Sequence, residues 1–157
     1  MSSQPTYEEL ERRCCESAAA NNARLEVLVQ VLKHHGSTAQ AFIDFALGQA
    51  IELTGSMIGY LYWYDEGQRE FVLSTWSKRV IKECSVNDPQ ARCELDKTGI
   101  WAEAVRQRRP IIINDFQSDH PLKRGRPAGD AGLHKLLTVP VFSGQRIVAV
   151  VGVANKE

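Results

Sequence analysis

One segment near the C-terminus restricts the fold more than any other part of the sequence. Ile147–Val153 is apolar at odd and even positions alike, whereas a strand with one face in water alternates between apolar and polar residues. A preceding apolar segment, Leu136–Phe142, is joined to it by the short turn Ser143-Gly144-Gln145. The pattern predicts a β-hairpin whose second strand lies at the centre of a sheet, with one covering layer on each side. Because the sequence stops at Glu157, close behind this strand, we expect the chain to be part of a longer protein.

Charge and cysteine content exclude several classes of protein. The 157 residues include 19 basic and 19 acidic side chains, so no overall field attracts nucleic acid or an anionic membrane. The sequence has no apolar run of about 18 residues that could span a bilayer, and its N-terminus lacks the features of a signal peptide. The four cysteines do not form the pattern of a secreted disulfide framework. We therefore expect a cytoplasmic protein with reduced thiols and without nucleic-acid or membrane contacts.

The N-terminal segment is predicted to form one long helix over Thr6–His35. Its apolar and small residues recur at spacings of three and four, which is typical of a narrow coiled-coil seam. The seam is weak at its start and strong from Leu25 onward, and Asn21 on it would favour one register over maximal stability. Two interpretations are open: pairing with the same helix of a second copy, and packing against the chain's own sheet. The seam consists of Leu10, Cys14, Ala18, Asn21, Leu25, Leu28, Leu32 and His35.

Shorter elements are predicted between this helix and the closing hairpin. A second helix is capped near Ser37 and runs to about Leu53. A loop as long as Asn114–Gly132 in a compact domain is often functional. The remaining predictions are strands at Met57–Tyr64 and Glu70–Trp76, a loop at Ser77–Asp96 with one helical turn at Val80–Glu83, a helix at Gly99–Arg108 and a short buried strand at Ile111–Ile113.

Several short sequence motifs occur on these elements in a characteristic order. They are Ala50–Ser56, Gly59-Tyr60-Leu61, Thr98–Val105, Pro110–Phe116, Thr138–Phe142 and Val150–Glu157. With them, the chain from about Leu25 to its end resembles a GAF domain, in particular those that precede histidine-kinase or diguanylate-cyclase domains in bacterial signalling proteins. The resemblance implies an α+β fold, in which an antiparallel sheet carries helices on one face. The other face would border a ligand cavity with a short helix and long loops.

The resemblance also implies an organisation and a role. Residues 1–36 would be a signalling or dimerisation helix, and residues 37–157 a GAF domain without its usual C-terminal helix. Such a module senses a signal by binding a small ligand, by dimerising, or both, and controls an output domain outside this sequence. We expect a homodimer formed through the N-terminal helix, no enzymatic activity in this segment and no required cofactor; the identity of the ligand is unknown.

Ligand cavities of GAF domains lie between the sheet, the helix that corresponds to Gly99–Arg108 and the flanking loops. An apolar box with a few convergent polar groups is suited to capturing a small molecule. The alternative is that both tryptophans belong to the core and that Asn114 and Asp115 only form a turn after a strand. The residues that the resemblance assigns to the cavity are Trp76, Cys84, Trp101, Asn114, Asp115, Phe116 and Lys135.

Other functions of the family are open to comparison with this sequence. Asn155-Lys156 matches the start of the Asn-Lys motif of cyclic-nucleotide-binding GAF domains. GAF-fold free methionine-R-sulfoxide reductases need an attacking cysteine in the loop that corresponds to residues 114–136, where this sequence has none. We expect Cys84 and Cys93 to be unreactive or partly buried, and bilin attachment is disfavoured because its Asp-Ile-Pro and Cys-His motifs are absent. The scattered histidines predict no metal site.

Overall fold

The computed structural model describes residues 4–36, 38–77, 92–116 and 133–156, with the side chain of Trp101 left out. Two helices precede the sheet, and a short helical segment interrupts the strands. The helices are α1 (Tyr7–Lys33), α2 (Ala39–Thr54), a single 3₁₀ turn (Ile100–Ala102) and α3 (Glu103–Gln107). The strands are β1 (Ile58–Asp65), β2 (Glu70–Trp76), β3 (Arg92–Glu94), β4 (Ile111–Ile113), β5 (Leu136–Ser143) and β6 (Arg146–Ala154).

The six strands form one antiparallel sheet in the order β3-β2-β1-β6-β5-β4. The strand that is apolar at every position, β6, lies inside the sheet between β1 and β5, as predicted. Its pairing with β5 continues through the tight turn at Gly144, whose φ of 60° suits a residue without a side chain. The α+β fold and the central position of β6 are therefore confirmed.

Helix α2 covers one face of the sheet. It begins at Thr38, whose hydroxyl accepts a hydrogen bond from the Ala41 amide at 3.1 Å, and it ends at Gly55 in the left-handed conformation. Its contact with β1 is close because Gly59 has no side chain: a Cβ there would lie 2.6 Å from the side chain of Ile51. Leu47, which also approaches Gly59, is the buried residue of this helix.

The main hydrophobic core lies on the opposite face of the sheet. There the 3₁₀ turn and α3 pack on the strands through Ala102 and Ala104, both fully buried, whose small side chains allow a close approach. Helix α3 lies chiefly against β5 and β6. It ends at Arg108, which adopts a left-handed conformation and donates a 2.7 Å hydrogen bond to Glu66 in the β1–β2 turn. The C-terminal end of α3 is thus attached to the β1–β2 turn.

One cross-strand contact joins the three central strands on the core face. Tyr60 of β1 pairs with Gly152 of β6, and Gly152 pairs with Thr138 of β5. The Tyr60 ring lies over Gly152, since a Cβ on that glycine would be 2.1 Å from the ring and 2.2 Å from the hydroxyl oxygen. A phenol that fills the space above a strand glycine ties neighbouring strands together in one register.

The structure corrects several details of the sequence prediction. Residues 92–94 lie within the predicted loop 77–96, yet they form β3 by pairing with β2. The predicted helical turn at residues 80–83 lies outside the described residues, as do residues 117–132 of the predicted long loop. The predicted helix over residues 99–108 is divided into the 3₁₀ turn and the five residues of α3.

Two predictions about burial are also wrong. Ile112 of β4 is 65% exposed, because this strand lies at the sheet edge and its middle residue points away from the core. Cys93 is exposed on β3 at the opposite edge, which contradicts the expected partial burial, while its expected lack of reactivity stays a prediction. Both residues lie on three-residue edge strands: in β4 the residues on either side of Ile112 remain buried, whereas all three residues of β3 are exposed.

Helix α1 contacts the rest of the chain through a narrow stripe. Val27 and Val31 are half-buried, and the His34 ring stacks on Phe45 of α2 with 4.0 Å between ring centroids. Leu25, Leu28 and Leu32 are 60%, 57% and 80% exposed, and no residue of α1 is fully buried. The predicted seam therefore does not pack against the chain's own sheet.

Among the described residues, no helix is long and apolar enough to cross a membrane.

Replacing Gly152 with alanine should lower the free energy of unfolding by about 1–3 kcal/mol, because the new methyl group would overlap the Tyr60 ring. Urea denaturation followed by far-UV circular dichroism measures this change. Gly48→Ala is the matched control: a Cβ at Gly48 on α2 meets nothing within 4 Å. This variant should gain about 0.5–1 kcal/mol from higher helix propensity. Equal stability of the two variants would contradict the packing described for Tyr60.

Candidate functional site

The core face of the sheet carries a line of polar and aromatic side chains that crosses four strands. Strand pairing aligns Trp76 of β2 with Tyr60 of β1, Tyr60 with Gly152 of β6, and Gly152 with Thr138 of β5. We call these four residues the cross-sheet row. Three of them place a polar side-chain atom in the interior, namely the hydroxyls of Tyr60 and Thr138 and the indole nitrogen of Trp76. Buried polar atoms concentrated in one line of an otherwise apolar face define the candidate site.

At the centre of the cross-sheet row, the Tyr60 and Thr138 hydroxyls interact. Burial raises the pKa of Tyr60 far above its ordinary value, and the nearby Thr138 hydroxyl lowers that pKa to a smaller extent. Thr138 is completely buried, and its hydroxyl has no partner in full hydrogen-bond geometry among the described residues. The Tyr60 phenol is therefore neutral at physiological pH, and it can donate or accept a hydrogen bond but cannot act as a charged base.

At the β2 end of the row, Trp76 and Tyr62 form an aromatic corner. Their rings meet edge to face at 6.5 Å between centroids, and Tyr62 meets Tyr60 in the same manner at 5.8 Å. Burial raises the pKa of Tyr62 to about 12, and the neighbouring Trp76 side chain opposes this rise. The buried indole N–H nevertheless lacks an acceptor in hydrogen-bond geometry among the described residues.

The coverage of this face is uneven. Helix α3 packs chiefly over β5 and β6, while Tyr62 and Trp76 on β1 and β2 are only half-buried. In the described part of the chain, the aromatic corner therefore lies beside α3 rather than beneath it. A surface of this kind offers ring faces for stacking and an N–H and a hydroxyl for hydrogen bonds, which are the elements of a small-molecule site.

A partly buried ion pair holds α3 in place beside the candidate site. Glu103 and Arg106 lie 2.6 Å apart with side chains that are 10% and 27% exposed, and Gln107 also donates to Glu103 at 3.0 Å. The Arg106 guanidinium donates in addition to the backbone carbonyl oxygens of Leu95 and Thr98, the latter at 2.6 Å. Both charged groups are occupied by contacts within the protein. Their role is therefore to position α3 rather than to react with a substrate. The described residues contain no group of side chains that could hold a metal ion.

The predicted site residues fall into three groups. Trp76 belongs to the cross-sheet row, and Phe116 is buried in the same core cluster. Asn114, Asp115 and Lys135 are exposed, the first two directly after β4 and the third directly before β5. Cys84 lies outside the described residues, and Trp101 is described only as backbone in the 3₁₀ turn.

Asn155 has a structural role that bears on the cyclic-nucleotide alternative. It adopts a left-handed conformation directly after β6, and its side-chain oxygen accepts a hydrogen bond from the His134 amide at 2.8 Å. Its own amide donates to the Lys135 carbonyl at 2.9 Å, while the Phe116 amide donates to His134 at 2.7 Å. These contacts join the segments on either side of the long loop, and they account for Asn155 without a nucleotide.

Sequence reasoning did not identify Tyr60, Tyr62 or Thr138 as site residues. One available signal was Gly152, because an isolated glycine inside a strongly apolar strand indicates a close approach by another group. The group that approaches it is Tyr60. The residue beside it on β5 is Thr138, and neither could be assigned to Gly152 without the strand register.

Comparisons with known proteins agree with this architecture. A methyl sulfide methyltransferase-associated sensor of Methanosarcina acetivorans is 44% identical over 148 residues, which is 94% of this chain and 15% of that protein. Two solved structures share the fold. They are a GAF domain of a phosphoenolpyruvate-protein phosphotransferase from Coxiella burnetii (18% identity, TM-score 0.71, covering 88% of this chain and 80% of that one) and the free methionine-R-sulfoxide reductase of Neisseria meningitidis in complex with its substrate (16% identity, TM-score 0.67, covering 100% and 79%).

The model of the GAF domain family matches residues 36–157. This region contains α2 and all six strands, and therefore the sheet, its covering helix and the cross-sheet row. Since the match extends over most of the sequence and the fold agrees with solved GAF domains, the chain belongs to the GAF domain family.

Proposed function

We propose that this chain is the sensory module of a signalling protein, and that it binds a small ligand at the aromatic corner of Trp76 and Tyr62. The observation that carries the proposal is the buried indole N–H of Trp76, which lacks an acceptor in hydrogen-bond geometry among the described residues. An unsatisfied buried donor costs about 1–3 kcal/mol, and almost all such groups in native proteins have a partner. An acceptor atom of a bound ligand would satisfy this donor.

The surroundings of the corner favour a ligand with an apolar or aromatic body. Tyr62 contacts Phe71 edge to face at 6.4 Å, in addition to its contacts with Tyr60 and Trp76. The tyrosine hydroxyls are neutral at physiological pH, since burial raises the pKa of both Tyr60 and Tyr62. A ring stacked in this corner, with an oxygen or nitrogen directed at the Trp76 N–H, would combine apolar contact with one hydrogen bond.

A regulatory role is supported by the relative that is named a sensor. This chain spans about 15% of that protein, so the control of an output domain by this module is part of the proposal. A histidine kinase or a diguanylate cyclase would be an output of the kind that the sequence resemblance implies. The likeness to reductase structures is below 25% identity and bears on the fold alone.

The second half of the proposal is pairing of two copies through α1. The leucines of its seam are exposed, while Val27 and Val31 on another side of the helix face the chain's own domain. Every described residue before Val27 is exposed. Most of the stability of helices in proteins comes from tertiary packing of an apolar face rather than from helix propensity, so a partner along the seam would stabilise this part of α1. Two paired helices can transmit a rotation or a shift of register.

The ligand half can be tested by a thermal-shift screen of nucleotides, purines, amino acids and aromatic acids. A ligand that binds only the folded state stabilises it by about 2.7 kcal/mol at a hundredfold excess over its dissociation constant. Trp76→Phe keeps a ring and removes the N–H, which should weaken binding up to about tenfold. At the same ligand concentration the stabilisation should then fall to about 1.4 kcal/mol.

Trp63→Phe is the matched control for this experiment. Trp63 lies on β1, where it pairs with Ala149 and is 44% exposed on the face that α2 partly covers. This variant should keep the full ligand-induced shift. A ligand whose shift is reduced equally by both substitutions, or by neither, would contradict binding at the Trp76 corner.

The dimer half predicts that a version beginning at residue 38 is monomeric while the full chain is dimeric. Light scattering at a series of protein concentrations measures both. Leu28→Glu should also dissociate the full chain because it introduces two facing charges into the seam, whereas Glu26→Gln, at an exposed position away from the seam leucines, should not. A dimer that persists without α1, at unchanged affinity, would exclude this helix as the interface.

The alternative enzymatic function makes a separate prediction. The sequence has no cysteine between Asn114 and Leu136, where the reductases carry their attacking thiol. The purified chain should therefore not reduce free methionine-R-sulfoxide with a thiol as the reductant, as measured by methionine release. Turnover that is lost in Cys84→Ser would overturn this prediction and favour the enzyme over the sensor.

A further inference from the structure

Two adjacent cysteines lie on the exposed part of α1. Cys14 and Cys15 are both exposed and are free thiols. Cys14 belongs to the seam and precedes Leu28 by two complete heptads, so the two residues occupy the same heptad position. Cys15 is displaced by about 100° around the helix and lies beside the seam. The chain thus offers two exposed thiols, one on the seam and one beside it.

The seam points away from the chain's own domain. Val27 and Val31 face that domain, and His34 continues the same stripe by stacking on Phe45. At 3.6 residues per turn, the centre of Leu25, Leu28 and Leu32 lies roughly 125° around the helix from that stripe. Another helix can therefore approach the leucines without disturbing the contact between α1 and α2.

The distribution of leucines along α1 favours a parallel, in-register pair. In a symmetric parallel dimer, Leu25, Leu28 and Leu32 each face the same residue of the second copy. In an antiparallel pair that keeps the two seams in contact, Leu28 would lie opposite Cys14 and Leu25 near Ala18. Because parallel pairing places each of the three leucines against another leucine, whereas antiparallel pairing places two of them against smaller side chains, parallel pairing buries more apolar surface and the second copy is expected in that orientation.

We propose that Cys14 is a redox-controlled covalent lock between two copies of this chain. The inference rests on the proposed dimer, in which the two Cys14 side chains face each other at one layer of the seam. A disulfide needs Cα atoms about 4.4–6.8 Å apart, a separation compatible with facing side chains in a two-stranded coiled coil. The two Cys15 side chains diverge from the seam and do not meet.

The oxidant for this step is a low-molecular-weight disulfide. The thiolate of one Cys14 attacks it and releases one thiol, which leaves a mixed disulfide on the protein. The thiolate of the second Cys14 then attacks the protein sulfur of that mixed disulfide and releases the second thiol. Two protein thiols are thus oxidised to one disulfide while the small disulfide is reduced to two thiols, and a reducing thiol reverses the exchange.

The lock would act on the weak part of the seam. Between Cys14 and Leu25 the seam residues are Ala18 and Asn21, which bury little apolar surface, and Asn21 accepts a 2.9 Å hydrogen bond from Arg24 of its own helix. Without a crosslink, this part of the pair is stabilised mainly by the leucines that follow it. A disulfide at Cys14 would hold the two helices together at the N-terminal end of this weak part. Disulfides inside cells are usually transient and redox-sensing, which agrees with a reversible lock rather than a permanent one.

The experiment compares two single variants in a background in which Cys84 and Cys93 are replaced by serine. The full-length chain, its Cys14→Ser variant and its Cys15→Ser variant are each incubated with oxidised glutathione and analysed on non-reducing gels and by mass spectrometry. The parent and Cys15→Ser should form a covalent dimer that dithiothreitol reverses, while Cys14→Ser should form at least tenfold less. Far-UV circular dichroism should show more helix in the crosslinked dimer than in the reduced protein.

Light scattering of the reduced protein separates the two levels of inference. A reduced protein that is monomeric would refute the α1 dimer itself, and with it this inference. A reduced dimer that does not crosslink through Cys14, or that crosslinks equally well in both serine variants, would overturn the lock. The proposed dimer would stand in that case, with a different orientation or register.

Discussion

The close contact between Tyr60 and Gly152 is the constraint on which the centre of this domain depends. Gly152 interrupts the most apolar strand of the chain, and its missing side chain leaves room for a phenol ring from the neighbouring strand. That ring reaches the Thr138 hydroxyl on the next strand but one, so a single side chain connects β1, β6 and β5. A shift of any of these strands by one residue would turn Tyr60 or Thr138 to the other face of the sheet. The register and the polar character of the core face are thus set by the same contact.

The two faces of the sheet consequently have different chemistry. On the α2 face, Gly59 admits the side chains of Leu47 and Ile51, and apolar packing holds the helix in place. On the other face, buried hydroxyl and indole groups occur among aromatic rings, and α3 covers only the part above β5 and β6. A face built for stability alone would gain from replacing those polar groups with apolar ones, since each buried polar atom needs a partner. The buried N–H of Trp76, at the end of this row of polar groups, is the physical argument for a ligand there.

The sequence allowed the framework to be predicted wherever a pattern is local. The bounds of β2 and β4 agree with the prediction because turn residues or proline flank both strands, and the start of α2 follows from its Thr38 cap. Strand β3 was missed because its three residues are exposed and carry no apolar pattern; pairing with β2 alone creates it.

The candidate site was predicted less completely, for a related reason. Resemblance pointed to Trp76 and Phe116, which the structure places in or against one core cluster. Tyr60, Gly152 and Thr138 are distant in sequence and become neighbours only through strand pairing. A threonine in a strand is also ordinary, and the burial that distinguishes Thr138 follows from tertiary packing.

A chain of neighbouring residues leads from the aromatic corner through β1 and α2 to α1. Tyr60 is preceded on β1 by Gly59, which faces the other side of the sheet and lies against Ile51 and Leu47 of α2. The same helix holds Phe45, on which His34 at the end of α1 stacks. Because an alanine at Gly59 would already overlap Ile51, β1 and α2 are in close contact, and we expect a displacement of β1 to move the helix as well. A ligand at the corner would change the proposed pairing of α1 only if it bound two positions of β1 with different affinity. The close contact of α2 with Gly59 is the path by which a shift of β1 on ligand binding would reach the N-terminal helix.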